Sequence, residues 1–403
     1  MLGAIFTGLS GMNAYSKGLD VISNNVANLN TPGFKVAVPR FSDMVFRLTA
    51  GAVAGAPGTP ARGAGVQVDP SQLSFRQGEL RDTGNSLDVA VDGNGFFIVE
   101  QDGRRLYTRA GQFEFDSDGF LVERGTGAKV QFSTELQAIG AFNVDGLRVF
   151  APKATTEVIV TGTLARGGEQ TTFELPSITV FDSAGGRHVL KARFVRDTTD
   201  QMRWAVEVVD EDNTVVGSGE IRFGADGTPH AESAPLTFTV TPDDAPAFTA
   251  TVKFGAPGTF SGVSSAPGST QSTLQVLRQD GVQLGALTTL AFDEKGALKL
   301  TYSNGETKTV GNLLLARFDA PDELTALGGA LFSADGALQP RLGTGLEGGF
   351  GRLVGGRVEL SNVELTEQFT DLIIIQRGYQ ASSQMASVAN ELIQQLLAMD
   401  GRK

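Results

Sequence analysis

Residues 8–35 read GLSGMNAYSKGLDVISNNVANLNTPGFK, and the way this stretch must fold constrains the rest of the chain. Ile5, Met12, Leu19 and Val26 recur every seven residues, and Tyr15, Ile22 and Leu29 form a second series offset by three. Two stripes at that spacing predict a helix that packs on other helices, with Leu9 beside them. Among the first 34 residues only Lys17 and Asp20 carry charge before the segment closes at Phe34. Ser10, Asn13, Ser23, Asn24, Asn25 and Asn28 fill the other positions, so the polar face is neutral. Thr31-Pro32-Gly33 ends the helix, because Pro32 lacks an N–H and Gly33 tolerates positive φ.

The far end mirrors this pattern. Leu365, Leu372, Tyr379, Ala386 and Ile393 repeat by seven, joined by Ile375, Ala389 and Leu396, while Met385, Leu392 and Met399 widen the stripe. Ser361 or Asn362 is the expected N-cap, with Glu364 and Glu367 near the positive helix terminus. Gly378 interrupts the stripe at a cost of about 1 kcal/mol relative to Ala, which predicts a bend or a close helix contact there.

Between the two helices the chain alternates at period two with frequent turns, the pattern of β-structure. LDVAVDGNGFFIV (87–99) predicts two strands joined as a hairpin through Asp92-Gly93-Asn94-Gly95. Residues 106–122 repeat the device with Asp116-Ser117-Asp118-Gly119. Four alternating runs over 173–223 predict an all-β body. The Pro/Gly/Thr/Ser stretch 235–268 is expected to be irregular loop at a domain edge, and β-structure resumes over 284–318. The fold class expected is therefore mainly β with α-helical termini. The two terminal helices pair as a coiled-coil-like unit, and discontinuous β-domains are nested between them.

Composition excludes much chemistry. With 403 residues, the length prior gives about 2.7 domains. The net charge of −12 argues against a nucleic-acid partner, since phosphate backbones would be repelled. Two histidines and no cysteine cannot build a His₃, Cys₄ or Cys₂His₂ zinc site, a disulfide or a thiol nucleophile. No Lys or Arg precedes Lys17, so the charged start of a secretory signal is missing, and no 18-residue apolar window suggests membrane insertion. Gly343-Thr-Gly345-Leu-Glu-Gly348 matches G-x-G-x-x-G but lacks a βαβ setting. The Asp116/Asp118 and Asp92/Asn94 turns lack a calcium loop's twelve-residue frame. His188 and His230 lack a nucleophile elbow near Ser183. Trp204 reads as a core residue. No catalytic, cofactor or metal site is expected, and neither an Asp/His188 hydrolase nor a secreted carbohydrate-binding β-protein accounts for the paired terminal helices.

Two segments carry a resemblance. GLSGMNA (8–14) with LDVISNNVANLNTPGFK (19–35), including Asn24, Asn25, Asn28, Thr31, Pro32, Gly33 and Phe34, resembles the N-terminal signature of the bacterial flagellar rod and hook axial proteins. SNVELT (361–366) and IIQRGYQ (374–380), including Gln376, Arg377 and Gln380, resemble its C-terminal partner. LDVAVDGNGFFIV and YTRAGQFEFDSDGFLV are similar to the β-domain shared by distal rod and hook. SITVFDSAGGRHVLKARFV is similar to the insertion of the hook branch, with a distal rod-type or other axial protein as the alternative.

The resemblance implies a non-enzymatic structural subunit that self-assembles into a flexible tube transmitting motor torque to the filament. It implies export by the flagellar apparatus and a location in the hook and basal body outside the cell. Its partners would be further copies of itself, the distal rod protein, the hook cap protein and the hook–filament junction protein. Residues 1–34 and 358–403 would be the helical polymerisation domain and 35–75 a linker. Residues 76–148 and 275–357 would form an inner β-domain, and 149–274 an outer inserted one. Ile5, Leu9, Met12, Tyr15, Leu19, Ile22, Val26 and Leu29 would carry polymerisation on the first helix. Leu365, Leu372, Ile375, Tyr379, Met385, Leu392, Ile393 and Leu396 would do so on the second. After Lys35 the run Val36-Ala37-Val38-Pro39 is more apolar than the family's usual linker.

Overall fold

The structure, a computed structural model, describes residues 2–46, 62–133, 139–167, 169–266, 268–334, 336 and 338–400. Helix α1 spans Leu2–Ala27 and helix α2 spans Leu365–Asp400, and the described residues between them are mainly β-strand. The chain divides into two compact units. One comprises Met1–Asp145, Leu290–Leu300 and Lys308–Lys403, and the other Gly146–Thr289 and Thr301–Thr307. In chain order the second is therefore nested inside the first.

In the first unit, α1 ends in a short turn in which Thr31 N–H donates to Asn28 O at 3.1 Å. Gly33 follows with φ +72°, a left-handed conformation that glycine adopts without strain. In the stretch read from sequence as a linker, β1 (Ala37–Phe46) and β2 (Arg62–Leu73) pair antiparallel. The β-body of this unit has a core of Phe96, Ile98, Tyr107, Leu314, Ala316, Phe318, Leu324 and Phe332. Its rings meet edge to face, as Phe75 does with Phe96 at 5.2 Å and Tyr107 with Phe318 at 4.8 Å. Such pairs add to the hydrophobic gain of burial.

The second unit holds two sheets around one core. Thr172–Phe181, Arg187–Arg196, Arg203–Val209 and Val215–Arg222 form an antiparallel meander, in the four runs expected from the alternation. The second sheet orders Leu236–Val240, Phe248–Lys253 and Glu157–Thr163, the last two parallel. Trp204 is fully buried in the core with Phe194, Phe238 and Leu164. Period-two alternation delivers this packing, since every second side chain of Leu236–Val240 is buried.

Three expectations need correction. The DGNG segment is not a hairpin: Val89–Asp92 pairs with Arg352–Gly355, whereas Phe96–Gln101 pairs with Arg104–Thr108. Gly93 at φ +112° and Gly95 at φ +138° turn the chain from one sheet into the other, and Asn94 O accepts from Gly351 N–H at 2.7 Å. Residues 235–268 hold ordered strands, because Leu236, Phe238, Val240, Ala250 and Val252 complete the core of the second unit. Neither Ser361 nor Asn362 caps α2. Asn362 accepts from Val36 N–H at 2.8 Å and donates to Ser74 O and Arg76 O, both at 2.8 Å. The turn at 116–119 does join a hairpin, between Phe113–Phe115 and Leu121–Glu123.

Candidate assembly surface and the joint at its base

The helices run antiparallel with a close seam. Gly8 faces Ser382 and Ala386, Gly11 faces Ser382, Tyr15 faces Gly378 and Gly18 faces Ile375. Farther along, Asn25 Nδ2 donates to Gln368 Oε1 at 2.8 Å in a buried bond. Positions 8, 11, 15, 18, 22 and 25 alternate spacings of three and four, the repeat of a coiled-coil seam. Glycine fills half of them, so the backbones approach closely. A Cβ on Gly18 would stand 3.0 Å from Ile375 Cδ1 and 3.1 Å from Phe41 Cζ.

Of the residues expected on the helices, Ile22 and Ile375 are buried and Tyr15 packs in the seam. Ile5, Met12, Leu19, Val26, Leu29, Leu372 and Ile393 are half-buried. Leu9, Leu365, Tyr379, Met385 and Leu392 are exposed, and the side chain of Leu396 lies outside the described residues. Sequence reasoning gave the seam to the large apolar residues, yet small ones hold much of it. The large ones are thereby left facing outward. Phe6, Phe369, Ile373 and Ile374 join them, at 53% exposure for Phe369 and 61% for Ile374. An apolar surface of this kind marks an interaction site rather than a face meant for water.

Strands β1 and β2 lie against α1. The Tyr15 and Phe41 rings are 5.6 Å apart, and Val66 N–H donates to Ser10 Oγ at 3.3 Å. Val38, Phe41 and Met44 remain exposed and extend the apolar surface beyond the helices.

At the base of the helices four passages of chain meet. Lys35 Nζ donates to Glu359 Oε1 at 2.6 Å and to Arg76 O at 2.9 Å, with both charged side chains fully buried. Glu359 also accepts from Gly78 N–H at 2.9 Å and pairs through its other oxygen with Arg109 at 3.3 Å. The Arg109 guanidinium sits 5.1 Å over the Phe96 ring. Gly33 N–H donates to Glu359 O at 2.8 Å, and Ala37 exchanges two bonds with the Asn25 amide. The Lys35 ammonium and both Glu359 carboxylate oxygens are paired, as burial requires, while the Arg109 Nε–H is buried without a hydrogen-bond partner.

Burial holds the Lys35 ammonium below its ordinary pKa; the Glu359 charge opposes this and Arg109 adds to it. Glu359 alone compensates two buried cations, so it is the group on which the cluster depends. Sequence reasoning placed Asn25, Thr31, Pro32, Gly33 and Phe34 in a motif but missed Arg109, Glu359 and Gln368. Lys35 and Glu359 are 324 residues apart, and no local spacing signals the pairing. Of the remaining motif residues, Asn24, Gln376, Arg377 and Gln380 are exposed, and Asn28 bonds back to Asn24 O at 2.9 Å.

The other sequence candidates sit at strand turns. His188 Nε2 lies 2.8 Å from Asp182 Oδ2 at the turn between two strands of the second unit. Asp116 caps its own hairpin by accepting from Asp118 and Phe120 N–H. Among the described residues no group of three His, Cys, Asp or Glu could hold a metal ion, and no helix is long and apolar enough to cross a membrane.

Comparison with known proteins covers nearly the whole chain. Residues 5–35 match the model described as flagella basal body rod protein, and 354–399 match flagellar basal body rod FlgEFG protein C-terminal. Residues 90–163 match the flagellar hook protein FlgE/F/G D1 domain, and 166–341 the flagellar basal body protein FlaE D2 domain. The flagellar hook protein FlgE of Brucella abortus is 30% identical, with 98% of each chain covered. That of Borreliella burgdorferi is 29% identical over 99% of this chain and all of the relative. A crystal structure of Helicobacter pylori flagellar hook protein FlgE2 shares the fold at TM-score 0.51 and 13% identity, covering 68% of this chain and 98% of that one.

Proposed function

This chain belongs to the flagellar hook protein family, and from that premise we propose how its parts divide the work of a hook subunit. It is a structural subunit of the flagellar hook, in the hook and basal body of the flagellum, and it polymerises with copies of itself. The helix pair formed by residues 1–34 and 358–403 is the polymerisation layer. Residues 76–148 with 275–357, and 149–274, are the inner and outer β-domains.

The observation that carries this reading is the apolar face of α2, where Phe369, Ile373 and Ile374 stand exposed beside a seam made of small residues. A helix that closes its own pairing with glycine and alanine and turns phenylalanine and isoleucine outward is built for further copies. The buried Lys35–Glu359–Arg109 cluster and the Asn362 bonds fix the helices to the β-body of the same unit. Torque received by the helices therefore reaches that body without a swivel at the joint. The ends of the tube would meet the distal rod protein, the hook cap protein and the hook–filament junction protein.

Electron microscopy of purified protein at rising concentration tests this. Tubes that form above a critical concentration are expected. A chain that stays monomeric at every concentration, with both units folded, would remove the reading.

A further inference from the structure

The proposed tube needs a surface on one copy that fits a different surface on the next, because only such heterologous contacts continue into helical polymers. The first unit holds a cleft of about 400 Å³ between the end of α1 and the Thr325–Gly328 and Leu331–Ser333 strand pair. Phe34, Leu73, Ala326 and Phe332 wall it, and Asn24 and Asn28 stand at α1. Among the described residues its only charged lining residue, Lys35, is already held by Glu359. The cleft is therefore neutral and largely apolar, in the size range of specific pockets.

The same unit carries an uncharged ridge. Leu365, Phe369 and Ile373 follow one another at intervals of four on α2, at 40%, 53% and 57% exposure. Residues at that spacing form the ridges that seat in grooves when helices pack. Ridge and cleft also stand at one level of the helix pair, since Asn25, next to Asn24, bonds to Gln368, next to Phe369. A side-by-side contact between copies joins two such features without an axial step.

We propose that the Leu365–Phe369–Ile373 ridge of one copy seats in the Phe34/Ala326/Phe332 cleft of a second copy. No buried charge is created on either side, so the contact costs little desolvation. The proposal rests on the reading of this chain as a tube-forming subunit.

The absence of cysteine makes the test clean. Chains carrying Ala326→Cys alone and chains carrying Thr366→Cys alone, both surface positions, are mixed as minorities into unmodified protein. Tubes are grown, pelleted and treated with a short bis-maleimide. Covalent dimers that contain one chain of each kind are expected at about tenfold or more above either variant alone, because neighbouring thiols share a high effective concentration. A companion Phe369→Asp chain is expected to stay folded and be left out of the tubes. Variants that pellet with tubes but give no mixed dimer, or Phe369→Asp chains that enter tubes normally, overturn the contact. Either result leaves the hook reading standing, whereas failure of the unmodified chain to form tubes strikes at that reading itself.

Discussion

The Tyr15 ring lies against the backbone of Gly378, so close that a Cβ on that glycine would stand 2.5 Å from Tyr15 Cζ. The interruption in the second stripe is thus a close helix contact. Glycine there costs α2 about 1 kcal/mol in propensity, and the approach of α1 depends on it. Gly378→Ala removes that cost but overpacks the seam by about 1–3 kcal/mol. Weaker helix pairing and slower tube growth are expected, with rescue by Tyr15→Ala in the same chain. The measurement is a double-mutant cycle on assembly, and additive effects would show that the two residues are uncoupled.

Removing either partner of the buried cluster has unequal consequences. Glu359→Ala strands Lys35 and Arg109 without a counter-charge, and a loss of about 3–5 kcal/mol is expected. Lys35→Met leaves Glu359 paired with Arg109 and bonded to Gly78 N–H, so its loss is smaller. Urea unfolding of the first unit in the two variants checks the order, and a reversed order contradicts the assignment of Glu359 as the hub.

In the first unit, Asp92 should contribute to acid sensitivity. A hydrogen bond from Arg352, with help from Gln77, holds its carboxyl below the ordinary carboxylate range. An acid depressed in the folded state binds its proton more weakly there than when unfolded. Its contribution is therefore present above about pH 4 and lost as the pH falls through the folded value. Arg352→Gln is expected to lower stability at neutral pH and to converge with the unmodified chain only once the pH has fallen below the depressed folded value of the Asp92 carboxyl. Denaturation midpoints across that window measure it, and parallel curves would dismiss the pair as a source of stability.

Two aspartate substitutions should separate packing within a chain from packing between chains. Ile22 is fully buried against the seam, so Ile22→Asp places a charge there and should loosen the α1–α2 pair in the monomer. Ile374 is 61% exposed, so Ile374→Asp should leave monomer stability within about 0.5 kcal/mol and still block assembly. Thermal unfolding and sedimentation of both variants report the difference.

A seam rich in glycine buries little apolar area between the helices, and isolated helices are marginal in water. In the free monomer, amide exchange at residues 5–27 should be much faster than across Phe96–Gln101, and assembly should slow it. Equal protection in monomer and tube would mean the pair is complete without neighbours.

Much of the fold was readable because it rests on periodicity. The seven-residue repeats of Ile5 to Val26 and of Leu365 to Ile393 located both helices, and alternation located the meander over 173–223. What failed was partner choice. Asp92-Gly93-Asn94-Gly95 has hairpin chemistry, yet its flanking strands pair elsewhere because Arg352–Gly355 competes for one of them. Asn362 has cap chemistry, yet its amide serves the backbone of Val36, Ser74 and Arg76.

The sequence by itself determined that this chain has helical ends, a nested β-middle, no thiol, no His₃, Cys₄ or Cys₂His₂ zinc ligand set and the signatures of a flagellar axial protein, since each is written in local spacing or composition. Only the tertiary structure decided that glycines form the seam while phenylalanine and isoleucine face outward, and that Lys35, Arg109 and Glu359 share one buried site. Periodicity ranks residues by hydrophobicity, whereas closeness of approach is set by size, and a buried charge finds its partner through space across any length of chain.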